Sequence, residues 1–218
     1  MGSIAVQSTF TLPSRADIVS RLAASPPLED LLTADDLEKQ HEAAKLPLKP
    51  AAVLLLVVNH PGDPTVVFTQ RTAHLSDHGG QISFPGGRTD EGDGNPERTA
   101  LREAEEEVGI PPERIEILGR LPEYRTVTGY CVTPIVGWAE PPLNFRPDPH
   151  EVADVFEVPL AFLLDAGNHR HESAFFRGRQ RKYWAMPYGE RFIWGATAGM
   201  LVTFHRILIP APVPRTGF

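Results

Sequence analysis

The segment Arg102-Glu103-Ala104-Glu105-Glu106-Glu107-Val108-Gly109 concentrates carboxylates where a helix is expected. Asn95 is a good N-cap, Pro96 suits the first helical position, and Gly109 followed by Pro111 ends the pattern. The spacing therefore predicts a helix over Pro96 to Val108. At 3.6 residues per turn, Ala100, Leu101, Ala104 and Val108 form an apolar docking stripe, and Arg98, Arg102 and Glu105 fall on the far side. Glu103, Glu106 and Glu107 sit together between them, at i, i+3 and i+4. Like charges at this spacing weaken a helix and raise carboxyl pKa values. A hard divalent cation such as Mg²⁺ relieves both, because it takes oxygen ligands and shares them with water and phosphates. A solvated acidic face is the plainer reading of such a helix. Glu105 lies off the cluster and is excluded as a ligand.

Several elements must position this helix. Ala51 to Val58 is an unbroken apolar run, as expected of a strand buried on both faces. Pro61-Gly62-Asp63-Pro64 signals a turn into a second strand, Thr65 to Thr69, and the two read as a hairpin. A loop with His74 and His78 leads to a short strand, Gln81 to Phe84, that ends at Pro85-Gly86-Gly87, where glycine permits close backbone approach. Ile115 to Leu121, Cys131 to Trp138, Ser173 to Phe176 and Lys182 to Met186 read as strands. Val158 to Leu164 and Ile193 to Ile207 read as helices. Residues 1–50, with helical patches at Ala16 to Ala24 and Ala34 to Ala44, read as an N-terminal extension; 51–218 form the main domain. Strands mixed with few helices predict an α/β fold with a mixed sheet covered by helices on both faces.

The stretch from Gly87 through Asp93, Arg102-Glu103 and Glu106-Glu107 to Gly109-Ile110 resembles the Nudix box, G-x5-E-x7-R-E-U-x-E-E-x-G-U, where U is aliphatic. The chain departs from that pattern at Asp93, in the eight residues between Asp93 and Arg102, and at the small Ala104. Upstream, Phe68-Thr69-Gln70-Arg71-Thr72, Leu75, His78 and Gly80-Gln81-Ile82-Ser83-Phe84-Pro85-Gly86-Gly87 are similar to the signature of the coenzyme A diphosphatase branch of that family. Asp90 and the eight-residue spacing are also similar to that branch. Phe68, Thr72 and Ser76 differ from its usual leucine, serine and arginine. Softer similarity continues through Val127-Thr128-Gly129-Tyr130 and Val132-Thr133-Pro134.

This resemblance implies a Nudix fold, an α/β/α sandwich, and hydrolysis of coenzyme A or acyl-coenzyme A to 3′,5′-ADP and (acyl-)4′-phosphopantetheine. It implies that Glu106 and Glu107 bind Mg²⁺ or Mn²⁺, that Glu103 binds metal or acts as the base, and that the Gly87 carbonyl is a further ligand. Arg102 would orient the carboxylates, the alternative being a surface pair with Glu106. Arg71, His78 and Gln81 fall in the substrate segment, with Arg71 a phosphate contact or a structural salt bridge. His74 and His78 lack the glutamate of a zinc-protease motif and read as substrate-loop or structural histidines. Glu151, shortly before Val158-Pro159-Leu160, is similar to a loop position that supplies an extra metal carboxylate in some Nudix enzymes, the alternative being a solvated loop residue. The basic run Arg177, Arg179, Arg181 and Lys182 reads either as a solvated hairpin or as a contact for the 3′-phosphate of coenzyme A.

Composition bounds these readings. The 218 residues suit one domain with a sizeable core, and 41% hydrophobic with 22% charged residues is ordinary for a globular chain. The 22 prolines are roughly twice the usual share and fix loop shapes. A net charge of −7 disfavours nucleic-acid binding and demands a cation or local arginines beside a polyanionic substrate. Phe175, Phe176, Tyr183 and Trp184 could stack on RNA bases but more often serve as strand core. Cys131 is the single cysteine and is expected buried on a strand in a reducing cytoplasm. No membrane span or secretory signal is apparent. The partner expected is a small molecule; the oligomeric state is open, with a homodimer among the options. The competing functions are hydrolysis of ADP-ribose or another nucleoside diphosphate, and a catalytically silent ligand-binding domain, which would tend to lose the box glutamates kept here.

Overall fold

The structure is a computed structural model that describes residues 11–32, 34–45, 47–73, 79–176 and 179–209. Helices α1 (Arg15–Ala23), α2 (Leu28–Leu31) and α3 (Ala34–Ala43) precede strand β1 (Lys49–Val58). Then come β2 (Thr65–Arg71), β3 (Ile82–Ser83), β4 (Gly86–Arg88), α4 (Pro96–Val108), β5 (Glu116–Arg120), β6 (Tyr124–Arg125) and β7 (Tyr130–Ala139). The chain continues through β8 (Val152–Pro159), α5 (Leu160–Leu164), β9 (Arg170–Phe176), β10 (Arg179–Tyr188), β11 (Arg191–Trp194) and α6 (Gly195–Leu208).

Strand β1 is central. It runs parallel to β7 from Lys49↔Tyr130 to Val58↔Ala139 and antiparallel to β2 at its far end. Its side chains alternate between two cores. Ala52, Leu54, Leu56 and Val58 join Ala100, Ala104 and Val108 of α4. Leu55 and Val57 join Ile18, Leu22, Leu160, Leu163, Leu201, Phe204 and Leu208 of α1, α5 and α6. Both faces of the strand are covered, which is why its sequence shows no polar alternation. The result is the expected mixed sheet between helical layers. A second, three-stranded sheet has the order β11-β10-β9. No helix among the described residues is long and apolar enough to cross a membrane.

Several elements differ from the sequence expectation. The β1–β2 hairpin pairs only at Val57↔Val66 and Val58↔Thr65. β2 pairs with β8 along its length and with β3 at Thr69 and Gln70, and β4 takes the place beside β1 through Ala51↔Arg88, Ala52↔Gly87 and Val53↔Gly86. The two glycines are thus a strand in their own right rather than the end of one. β8 was not expected, because Asp154 and Glu157 interrupt its apolar pattern; the helix that follows starts at Leu160, not Val158. The closing helix starts at Gly195, whose positive φ of 67° breaks it from β11. Cys131 lies on β7 as expected but is only half-buried, with its thiol toward Glu123.

Candidate active site

The carboxylate helix α4 begins and ends as its sequence dictates. The Asn95 side chain accepts from the Arg98 amide at 2.9 Å, and Gly109 closes the helix at φ 71°. Ala100 and Ala104 are fully buried and share a core with Ala52 and Leu54, so the small residue at position 104 is a packing choice on the sheet side. Glu105, Glu106 and Glu107 occupy the last turn, which has no basic residue. This is the negative end of the helix dipole, where carboxylates are disfavoured without a nearby positive charge.

Glu107 is 4% exposed. Its carboxylate accepts from the Gly86 amide at 2.9 Å and lies 3.5 Å from an Arg71 Nη atom. Burial pushes its pKa up to about 7, against the pull of the Gly86 amide. Burial also raises the Glu103 pKa, opposed by Arg102. Glu103 approaches Gly87 so closely that a Cβ there would stand 2.6 Å from its carboxyl atoms. At Gly86 a Cβ would stand 2.5 Å from the Ala52 carbonyl oxygen, and φ is 151°. The glycine pair therefore lets one strand pass between β1 and two carboxylates. Glu106 is outermost, with 60% of its side chain exposed.

Arg102 is the hub, and it does not point away as the helical wheel suggests. Its Nε and Nη2 atoms donate to the two Asp93 oxygens at 3.0 and 3.1 Å, and Nη1 donates to Glu106 at 2.8 Å. Nη1 is also 3.0 Å from Glu103, and Nη2 donates to the Arg88 carbonyl. The surface pair with Glu106 thus exists, but as one arm of a larger network. Asp93 is buried and also accepts from the Thr99 hydroxyl and the Asp90 amide, both at 2.9 Å. The Arg102 fork holds its pKa well below the usual carboxylate range. Sequence reasoning left Asp93 without a role because loop burial leaves no periodic signal. Asp93→Asn is expected to lower kcat about 10- to 100-fold, as loss of a partner that orients a ligand shell does, and to cost about 2 kcal/mol. Steady-state kinetics and urea melts check this. Because the native pKa is depressed, the stabilisation is present above the ordinary aspartate range and lost as pH falls below it.

Arg71 ends β2. Its amide donates to the Gln81 carbonyl at 2.9 Å, and its side chain reaches Glu107 and, at 3.9 Å, Glu151. Glu151 is brought in by the segment after α4: the Arg146 amide bonds to Val108 and the Asp148 amide to Glu107. The Thr72 amide then donates to the Glu151 carbonyl. Its charge contributes to the raised pKa values of Glu103 and Glu107. The structure therefore gathers Arg71, Gln81, Gly87, Arg102, Glu103, Glu106, Glu107 and Glu151 into one region. His74 and His78 lie outside the described residues, as do Arg177 and the Arg179 side chain. Arg181 pairs with Glu42 of α3 at 4.0 Å, so it is partly engaged within the fold.

The donor set fits a hard divalent cation: all-oxygen ligands, two of them with raised pKa values, at a helix end whose last turn holds no basic residue. Among the described residues, no three carboxylate, imidazole or thiol groups converge into a closed ligand shell; Arg102 stands between Glu103 and Glu106.

The sequence profile of the NUDIX domain matches residues 48–177, more than half of the chain. The chain belongs to the Nudix family. Uncharacterized Nudix hydrolase NudL of Escherichia coli strain K12 is 43% identical over 177 residues, 78% of this chain and 92% of that protein. NudL of Shigella boydii serotype 18 matches to the same extent. Among solved structures, the Nudix hydrolase RenU of M. smegmatis aligns with 30% identity and a TM-score of 0.44 over 51% of this chain and 70% of its own. Nudix hydrolases act on nucleoside diphosphates and other pyrophosphates and generally need a divalent metal such as Mg²⁺ or Mn²⁺. In this Nudix chain the box spans β4, the loop holding Asp93, and α4.

Proposed function

We propose that this Nudix hydrolase cleaves the diphosphate of coenzyme A or an acyl-coenzyme A, releasing 3′,5′-ADP and (acyl-)4′-phosphopantetheine. One observation carries the reading. The segment similar to the coenzyme A diphosphatase signature folds so that Arg71 and Gln81 lie side by side at the rim of the glutamate cluster, with Arg71 3.5 Å from Glu107.

Glu103, Glu106, Glu107 and Glu151, with the Gly87 carbonyl, are the groups that would hold Mg²⁺ or Mn²⁺. The cation would neutralise the diphosphate and lower the pKa of water. Arg71, one-quarter exposed and paired only at long range, is placed to exchange Glu107 and Glu151 for a phosphate, using its bidentate fork. Water attacks one phosphorus, the bridging P–O bond breaks, and the departing phosphate carries the electron pair. Glu103 would either take the proton of that water at a carboxylate oxygen or serve as a ligand. Arg102, locked by Asp93, keeps Glu103 and Glu106 aimed at the same place.

Chromatography of products from coenzyme A, acetyl-coenzyme A and ADP-ribose with Mg²⁺ tests the substrate. Metal-dependent 3′,5′-ADP is the expected result. Turnover of ADP-ribose with none of either coenzyme A substrate would overturn the substrate reading while leaving the chemistry in place.

A further inference from the structure

Thr72 follows Arg71 directly after β2 and is 7% exposed. A hydroxyl that deep needs a partner, and it donates to the His150 carbonyl at 2.9 Å. The Thr72 amide donates to the next carbonyl, that of Glu151, also at 2.9 Å. One residue thus grips two consecutive carbonyls of the segment that leads into β8.

A second fastener works from α4. The Asp148 amide donates to the Glu107 carbonyl at 3.0 Å. The Asp148 side chain accepts from the His150 amide at 2.9 Å, and its carbonyl accepts from the amides of Glu151 and Val152 at 3.1 and 2.8 Å. Asp148 therefore closes residues 148–152 into a turn and pins that turn to the backbone of Glu107. Burial of apolar surface gives no reason for this double grip, because residues 149–151 are exposed and belong to neither hydrophobic core.

Glu151 supplies a reason. Its side chain is half-exposed and stands 3.9 Å from Arg71, and its charge acts on both Glu103 and Glu107. A carboxylate on a free loop is a weak ligand, because ordering the loop costs free energy on binding. Fixing the backbone on either side of Glu151 removes that part of the cost in advance.

We propose that Thr72 and Asp148 are positioning residues that fix Glu151 as the loop carboxylate joining those of α4 around the divalent cation. This rests on the reading that Glu103, Glu106, Glu107 and Glu151 hold that cation, and it is independent of which diphosphate is cleaved.

The test is Mn²⁺ titration followed by electron paramagnetic resonance, without substrate, on the wild type, Thr72→Val, Thr72→Ser, Glu151→Gln and the double variant of Thr72→Val with Glu151→Gln. Valine keeps the shape of threonine without its hydroxyl, and water can reach the carbonyl of the exposed His150, so circular dichroism should stay native. Thr72→Val should raise the Kd for Mn²⁺ about 10-fold, the lower end of the range for loss of a partner that supports a ligand. Thr72→Ser keeps the hydroxyl and should stay within about twofold, and Glu151→Gln should lose at least as much as Thr72→Val. The double variant should bind no more weakly than Glu151→Gln alone, because residues that act through one group do not add. Additive losses would give Thr72 a general structural role and overturn the proposal, as would an unchanged Kd in Thr72→Val. Unchanged affinity in Glu151→Gln beside a loss in Glu106→Gln overturns it too, while leaving the cation site in place. Unchanged affinity in both of those variants removes the cation site itself. Should Thr72→Val fail to fold, Asp148→Ala, which opens the turn at a half-buried position, carries the same cycle with Glu151→Gln.

Discussion

Glu106→Gln is expected to lower kcat for metal-dependent diphosphate hydrolysis about 10²- to 10³-fold, the range seen when one element of electrostatic stabilisation is removed from a reacting centre. The side chain is mostly exposed and accepts a 2.8 Å bond from Arg102. Removing its charge therefore costs little stability: an exposed i,i+4 pair is worth about 0.3–0.5 kcal/mol. A large loss of rate with an unchanged melting curve separates a ligand from a structural carboxylate. The control is Glu105→Gln. Glu105 is the adjacent glutamate, exposed and off the cluster, so the rate of its variant should stay within about twofold. The two variants should also part in their metal response, with only Glu106→Gln needing more Mg²⁺ for half-maximal activity. Equal rates for wild type and Glu106→Gln would remove the residue from the site. Equal losses in both variants would point to a general charge effect instead.

The contrast between Glu105 and Glu106 shows what kind of information the sequence carries here. Helical period and end signals place α4 from Pro96 to Val108 and put Glu105 on a different face from Glu103 and Glu107. Regular elements are legible because their side chains repeat. The loop from Thr89 to Gly94 repeats nothing, so the burial of Asp93 and its grip on Arg102 emerge only in three dimensions. β8 and β11 were missed for related reasons. β8 is an outer strand beside β2 whose charged positions mask its period, and β11 has four residues, too few to show one. Arg191 went unnoticed with it, since no local pattern marks a residue that bridges two sheets. The sequence marks Arg71 as a phosphate contact or a salt-bridge residue, and its contact with Glu107 appears only in three dimensions. The two residues are 36 positions apart and meet because β4 displaces β2 from the side of β1.

Glu107→Gln should abolish activity and yet raise the melting temperature when no metal is added. The wild-type carboxylate is 4% exposed and faces like charges at Glu103 and Glu151, against which stand the Gly86 amide at 2.9 Å and, at 3.5 Å, an Arg71 Nη atom. Glutamine keeps an acceptor for that amide and removes the charge. A gain of about 1–2 kcal/mol is reasonable for relieving a poorly compensated buried carboxylate, or roughly 2–8 °C for a chain of this size. The sign depends on pH. A carboxyl whose native pKa is raised to about 7 binds its proton more tightly folded than unfolded, so wild-type stability falls as pH rises from the ordinary glutamate value of 4.5 toward 7. The advantage of the variant is therefore full at pH 8 and absent below about pH 4.5. Added Mg²⁺ should reverse the order, because an ion bound only by the native state raises the melting point in proportion to the logarithm of its concentration over Kd. The wild type would gain that increment and the variant would not. Calorimetry at pH 8 in chelator and in excess Mg²⁺ reads all of this. A variant that melts lower than wild type in chelator would mean that Glu107 is held by the fold for its hydrogen bond, and that its buried charge is not the strain a cation relieves.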